Sequence, residues 1–152
     1  MTIDELIEQE KYLQFETFDH ELGLEITLEI VKEVKANFDI PVGIRINYEE
    51  KTILHYLMNG RKVSPWLDRK VKTVLESGHS SLYTFLLSDS HDVYAEWLTD
   101  PSYAICGGGF PIIEKGVLKG AICVSGLEHL ADHQVLVKVL ERVVKKAASN
   151  VK

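Results

Sequence analysis

Trp66, Arg69 and Lys70 stand at i, i+3 and i+4, the spacing that puts three side chains on one face of a helix. An indole beside two cations can grip a carboxylate or a planar anion. The same spacing also serves a helix whose Trp packs inward while both cations snorkel to water. Gly107-Gly108-Gly109 runs into Phe110-Pro111. Glycine lets backbone approach a ligand closely and bares N–H groups that hold anions. This run does not stand between a strand and a helix, so it is neither a P-loop nor a dinucleotide fingerprint. A flexible lead-in to a strand is the plainer reading. His129 and His133 sit at i, i+4 with Asp132 between them, a spacing common in metal sites. No third ligand can be placed, and a position at a pocket or subunit interface is the other reading.

Three further groups carry less. His79-Ser80-Ser81 follows Gly78, where hydroxyls satisfy a helix end or start the next helix. No nucleophile-elbow motif accompanies them. His55, if it lies among Ile53 and Leu57, is a satisfied interface histidine or an axial ligand. Cys106 and Cys123 lie in or beside apolar segments, where a thiol behaves as a small hydrophobe.

The elements that must position these groups follow from periodicity. Ile3, Leu6, Ile7 and Leu13 mark a short helix over 2–14, with Thr2 as cap. Leu22, Ile26, Ile30 and Val34 recur every fourth residue in a helix over 19–37 that Asp19 can cap. Val42–Met58 switches to alternation and predicts a hairpin. Glu49-Glu50 is a poor pair for a two-residue primed turn, which wants positive φ. A three-residue connection pairs Ile46 with Leu54 and Ile44 with Tyr56; a two-residue one pairs Ile44 with His55. In either register Leu54, Tyr56 and Met58 share one face and Ile53 and Leu57 the other, which implies cover on both sides by a helix or a sister subunit.

Ser64-Pro65 opens a helix to about Ser77, with Ser64 at the N-cap, and Gly78 closes it. His79–Leu87 is helical or extended, and Val93–Leu98 one or two helical turns. A strand follows Gly109, turns at Glu114-Lys115-Gly116, and returns as Val117–Ser125. Ala121, Cys123 and Ser125 share one face of the returning strand; Ile122 and Val124 share the other. The longest helix runs from about Glu128 to Ala148. Hairpins separated by helices make an antiparallel sheet with helices packed on it, an α+β class.

Composition narrows the function. The 152 residues fit one domain, and the net charge of -6 argues against a nucleic-acid partner. Arg142, Lys145 and Lys146 read as a solvated helix end, Glu141 lying among them. No run of about 20 apolar residues spans a bilayer. The acidic opening Met1-Thr2-Ile3-Asp4-Glu5 matches neither a signal nor a transit peptide, so the expected location is cytoplasmic and both thiols are expected reduced.

The segments Trp66-Leu67-Asp68-Arg69-Lys70, His79-Ser80-Ser81, Gly108-Gly109-Phe110-Pro111-Ile112, Val124-Ser125-Gly126-Leu127 and Asp132-His133 fall in a telling order. Together they resemble an uncharacterised protein family of the haem-degrading-domain superfamily, the GlcG/HbpS-like proteins, over most of the chain. The resemblance implies a profilin-like fold with a five-stranded antiparallel sheet flanked by helices, and a homo-oligomer. It implies haem or corrinoid binding in some relatives and protein-interaction roles in others. Members often carry Asn-Gly where this chain has Glu49-Glu50. No haem ligand carries across to a residue here, and covalent attachment is excluded because Cys-x-x-Cys-His is absent.

The expectation is one domain over 1–152 that binds a small molecule, haem or another tetrapyrrole being the class implied. Its ligand-binding set is Trp66, Arg69, Lys70, Gly108, Gly109, Phe110, Pro111, Ser125, Asp132 and His133. An oligomeric scaffold or interaction adaptor without ligand chemistry is the alternative. An enzyme is the weakest reading, since no activated nucleophile or acid–base pair emerges.

Overall fold

The computed structural model describes the chain to residue 150, with side chains to residue 148; the last two residues of the expected 1–152 domain lie outside it. In chain order the elements are α1 (Ile3–Tyr12), α2 (His20–Asn37), β1 (Gly43–Tyr48), β2 (Lys51–Leu57), α3 (Trp66–Ser77) and α4 (Ser81–Ser88). A 3-10 helix (Asp92–Leu98), β3 (Gly109–Glu114), β4 (Val117–Ser125) and α5 (His129–Asn150) complete the chain. Thr2 and Glu5 form a reciprocal capping box on α1, Asp19 caps α2 and Ser80 caps α4. Ser64 does not cap α3: Pro65 holds that position, and the Ser64 hydroxyl accepts instead from Arg61 at 3.3 Å. Gly78 ends α3 in the left-handed region.

The strands form one antiparallel sheet in the order β2-β1-β4-β3. One face carries Ile44, Ile46, Phe110, Ile112, Ile122 and Val124 against Ile26, Ile30 and Val34 of α2 and Leu136, Val139 and Leu140 of α5. On the opposite face, Ala121 and Cys123 pack on Leu67, Val71 and Val74 of α3. Alternation along β4 produces this division, as its period-2 pattern predicts. Burial pushes the Cys123 thiol up to about 12, so it acts as a small hydrophobe.

The sheet among the described residues has four strands, not five. Where a fifth would flank β3, Phe15 makes a single parallel bridge to Glu114. Its N–H donates to the Ile113 carbonyl at 2.8 Å, and its carbonyl accepts from Lys115 at 2.9 Å. The Glu114 carboxylate then takes the Phe18 N–H and the Tyr48 hydroxyl, fastening the chain just before Asp19 starts α2. The strand has no residues left to lengthen.

The β1–β2 hairpin combines both predicted registers. Glu49 and Glu50 do adopt positive φ, 51° and 67°, in a two-residue turn that pairs Tyr48 with Lys51. A bulge at Ile53 of β2, opposite Ile46 and Asn47, then shifts the pairing, so Ile46 meets Leu54 and Ile44 meets Tyr56. The bulge also moves Ile53 to the other face of β2, while Leu57 stays beside Leu67 of α3. Ile53 and Leu54, expected on opposite faces, both pack against the main core. His55 is exposed and lies beside Arg45, whose Nε donates to its Nδ1 at 2.8 Å. β2 is an edge strand with no fully buried side chain.

Candidate functional site

The site lies where the C-terminal end of β4 meets the first turns of α3 and α5. A cavity of about 460 Å³ is lined there by Arg61, Trp66, Lys70, Phe85, Cys106, Ser125, Gly126, Leu127, His129 and Asp132. Its floor is a buried ion pair. Lys70 Nζ donates to Asp132 Oδ2 at 3.2 Å and to the Val124 carbonyl at 2.8 Å, with both side chains at most 3% exposed. Asp132 also accepts the Leu127 N–H at 3.0 Å, which closes the turn from β4 into α5. Burial pushes the Asp132 carboxyl above its ordinary value, while Lys70 and the Leu127 and Gly126 amides pull it back down.

The glycine run is shaped by this floor. A Cβ at Gly107 would collide with the His129 carbonyl, and one at Gly108, which sits at φ 122°, with Lys70 Nζ and the Val124 carbonyl. The Gly107 N–H donates to His129 Nδ1 at 3.0 Å and the Gly109 N–H to Ser81 Oγ at 2.9 Å. The close approach these glycines allow is therefore to the protein's own α3, β4 and α5.

Above the floor the site is cationic. Arg61 Nη2 donates to Ser125 Oγ at 3.1 Å. Arg69 donates to the Tyr103 carbonyl at 2.8 Å, and its guanidinium stacks 4.1 Å from the centroid of the Trp66 indole, which is 40% exposed. Among the described residues, neither Arg61 nor Arg69 has a carboxylate within ion-pair distance. Phe85 meets the His129 ring edge to face at 4.8 Å and adds an aromatic wall.

Of the sequence-predicted set, Trp66, Lys70, Ser125 and Asp132 line the cavity. Arg69 adjoins it through Trp66, and Gly108 backs the Lys70–Asp132 pair. Gly109 and Pro111 are buried on β3, and Phe110 is fully buried in the main core. His133 is fully buried as well, with Nε2 2.9 Å from Gln9 Oε1 of α1 and Nδ1 without a partner. Arg61 and Phe85 line the cavity without belonging to any motif. Arg61 comes from the Asn59-Gly60 turn ahead of α3, and Phe85 from the apolar stretch of α4.

Burial holds the His133 imidazole down at about 4, against an ordinary 6.5. The neutral ring is thus the folded form. As pH falls from 6.5 towards 4 the unfolded chain takes a proton that the folded chain refuses, and stability is lost. At 1.36 kcal/mol per pH unit, this loss is roughly 3 kcal/mol. Urea midpoints should fall more steeply with acid across that window in the wild type than in His133→Gln. Equal slopes would contradict the assignment.

A haem iron finds no ready histidine here. His129 Nδ1 already accepts the Gly107 N–H, so the neutral ring carries its proton on Nε2, the nitrogen an iron would need. His133 is buried, and His55 lies on the β2 edge engaged with Arg45. Among the described residues, no cluster of three or more His, Cys, Asp or Glu could hold a metal ion, and no helix is long and apolar enough to cross a membrane.

Comparison with known proteins places the chain in a family. A UPF0303 protein of Psychromonas ingrahamii is 31% identical over 150 residues, covering 95% of this chain and 94% of its own. The crystal structure of the Ybr137w protein superposes with a TM-score of 0.87 at 26% identity, over 97% of this chain and 90% of that one. The crystal structure of a PduOC–haem complex shares the fold, with a TM-score of 0.67 at 18% identity over 82% of this chain and 93% of that one. The family model described as haem degrading protein HbpS-like matches residues 18–141, which span the sheet, α3 and the Lys70–Asp132 floor, so the chain belongs to the HbpS-like family.

Proposed function

We propose that this protein binds a flat, carboxylate-bearing small molecule, of the tetrapyrrole class, in the cavity between α3, β4 and α5. The carrying observation is an exposed indole with the Arg69 guanidinium stacked on it and the Arg61 guanidinium in the same cavity lining, neither cation having a carboxylate partner among the described residues. In a chain of net charge -6 such cations are not neutralised by chance proximity. A guanidinium matches a carboxylate in a two-pronged way, and an indole accepts a planar ring. The tetrapyrrole class is supported by membership of the HbpS-like family and by the haem held in a protein of the same fold.

The residues fit the ring and acidic arms of such a ligand, and no histidine of the cavity is free for its iron, which leaves the Cys106 thiol as the one lining group that could reach a metal. Recognition runs through the periphery and is independent of the metal. The Lys70 and Asp132 charges are spent on each other and Ser125 accepts from Arg61, so binding rather than turnover is the proposed activity. Haemin and metal-free protoporphyrin, titrated in parallel by absorbance and tryptophan quenching, test this. Both should saturate with affinities within about tenfold of each other, and Arg61→Ala or Trp66→Ala should weaken both about five- to tenfold, or 1–1.4 kcal/mol. Saturation by haemin alone, indifferent to both substitutions, would defeat the proposal. Failure of both porphyrins would leave the scaffold or adaptor role.

A further inference from the structure

The Asn59-Gly60 pair joins the end of β2 to the loop that carries Arg61, and neither the fold nor the ligand site uses its chemistry. The Arg61 N–H donates to the Met58 carbonyl at 2.9 Å, which closes a β-turn with Asn59 and Gly60 at its tip. Gly60 takes a positive φ of 92°, as glycine does after the first tip residue. Both tip residues are exposed, and a Cβ at Gly60 would meet nothing nearer than Pro41 Cγ at 3.5 Å. Among the described residues the Gly60 N–H donates to no carbonyl.

These conditions let an asparagine react with its own backbone. The Gly60 nitrogen attacks Asn59 Cγ and forms a C–N bond, while the bond from Cγ to the side-chain amide nitrogen breaks. Ammonia leaves, carrying away the proton of the Gly60 nitrogen, and a cyclic succinimide remains. Water opens the ring at one carbonyl or the other and gives aspartate or isoaspartate, so water is the sole co-reactant. Glycine has no side chain to crowd the attack, and both reacting groups are tethered in one chain. The other asparagines lack this combination. Asn37 precedes Phe38 and donates to Glu33 from within α2, Asn47 precedes Tyr48 on β1 and accepts from Thr52, and Asn150 precedes Val151. Asn59 has no such side-chain restraint among the described residues.

We infer that Asn59 is a self-deamidation site, and that the carboxylate it acquires weakens ligand capture by engaging Arg61. The consequence rests on the ligand reading; the modification does not. Arg61 Nη2 donates to Ser125 Oγ at 3.1 Å and to Ser64 Oγ at 3.3 Å, with no carboxylate within ion-pair distance among the described residues. Deamidation supplies one on the same turn, and a carboxylate matches a guanidinium closely. The isoaspartate product also adds a methylene to the main chain inside the turn that the Met58–Arg61 bond closes, which re-aims Arg61 relative to the cavity it lines.

Incubation of the full chain in warm, mildly alkaline buffer, followed by peptide mapping with isoaspartate detection, tests the chemistry. Position 59 should convert while Asn37 and Asn47 stay intact, and Asn59→Gln should be stable. Incubated wild type and fresh Asn59→Asp should each bind metal-free protoporphyrin at least about threefold more weakly than fresh wild type. Incubated Asn59→Gln should bind as fresh wild type does. The nitrogen NMR signal of the Arg61 guanidinium should move in Asn59→Asp, which reports the new contact without any ligand. A fresh wild type that binds no porphyrin would defeat the ligand reading alone, and the map and the Arg61 signal would then decide the inference. Asn59 left intact after a Leu57–Lys62 peptide has converted in the same buffer would overturn it. So would a converted protein with an unmoved Arg61 signal and unchanged porphyrin affinity.

Discussion

Replacing Lys70 with Met will cost the fold about 3–5 kcal/mol, the penalty for stranding one member of a buried ion pair. Lys70 and Asp132 are at most 3% exposed, so water cannot substitute for the missing ammonium. Asp132 would keep the Leu127 N–H but lose the cation that offsets its desolvation. The Val124 carbonyl would lose its donor as well. The pair joins three elements, α3 through Lys70, β4 through Val124 and α5 through Asp132. The damage should therefore reach the cavity as well as the global stability. Urea unfolding at neutral pH measures the cost, and Lys70→Met/Asp132→Leu should recover part of it by removing the stranded carboxylate. A loss under about 1 kcal/mol for Lys70→Met would mean that the pair is worth no more than an exposed surface bridge.

Phe110→Ala is the second large effect, also about 3–5 kcal/mol, because it opens a cavity in a packed core. Phe110 is fully buried, pairs with Ile122 across the β3–β4 ladder, and lies 6.2 Å from the His133 ring. The sequence groups Phe110 with Gly108 and Gly109 in the expected ligand-binding set. Its side chain points instead into the layer shared with α2 and α5. Well below its melting temperature the variant should therefore bind porphyrin like the wild type, while unfolding at lower urea. Unchanged stability with lost binding would return Phe110 to the ligand site.

The contrast between these two positions shows what the sequence makes legible. Lys70 and Asp132 stand out as a charge at helical spacing from Trp66 and an acid near a helix start. What the spacing does not reveal is that they are partners, because the residues are brought together only by folding. Phe110 reads equally as an aromatic beside a glycine loop or as a strand residue. The alternation that decides between the two is masked by Pro111 and the glycines ahead of it. Helices α2 and α5 are plain from their four-residue apolar repeat, and β4 from strict alternation. The β1–β2 hairpin is harder. Glutamates resist positive φ, so the turn at Glu49-Glu50 offers no Asn-Gly signal, and the bulge that puts Ile53 and Leu54 together leaves no glycine as a marker. Arg61 escapes detection because a loop cation has no periodicity, although it contributes a charge to the cavity that no other loop residue there supplies.

The central claim is that the cavity holds a planar acid by its rim cations and its indole. A crystal structure of the full chain with metal-free protoporphyrin addresses it directly, since iron is taken out of the question. The ring is expected against Trp66, with its carboxylates reaching Arg61 and Arg69. A porphyrin bound elsewhere on the surface, with the α3–α5 cavity empty, would contradict the account.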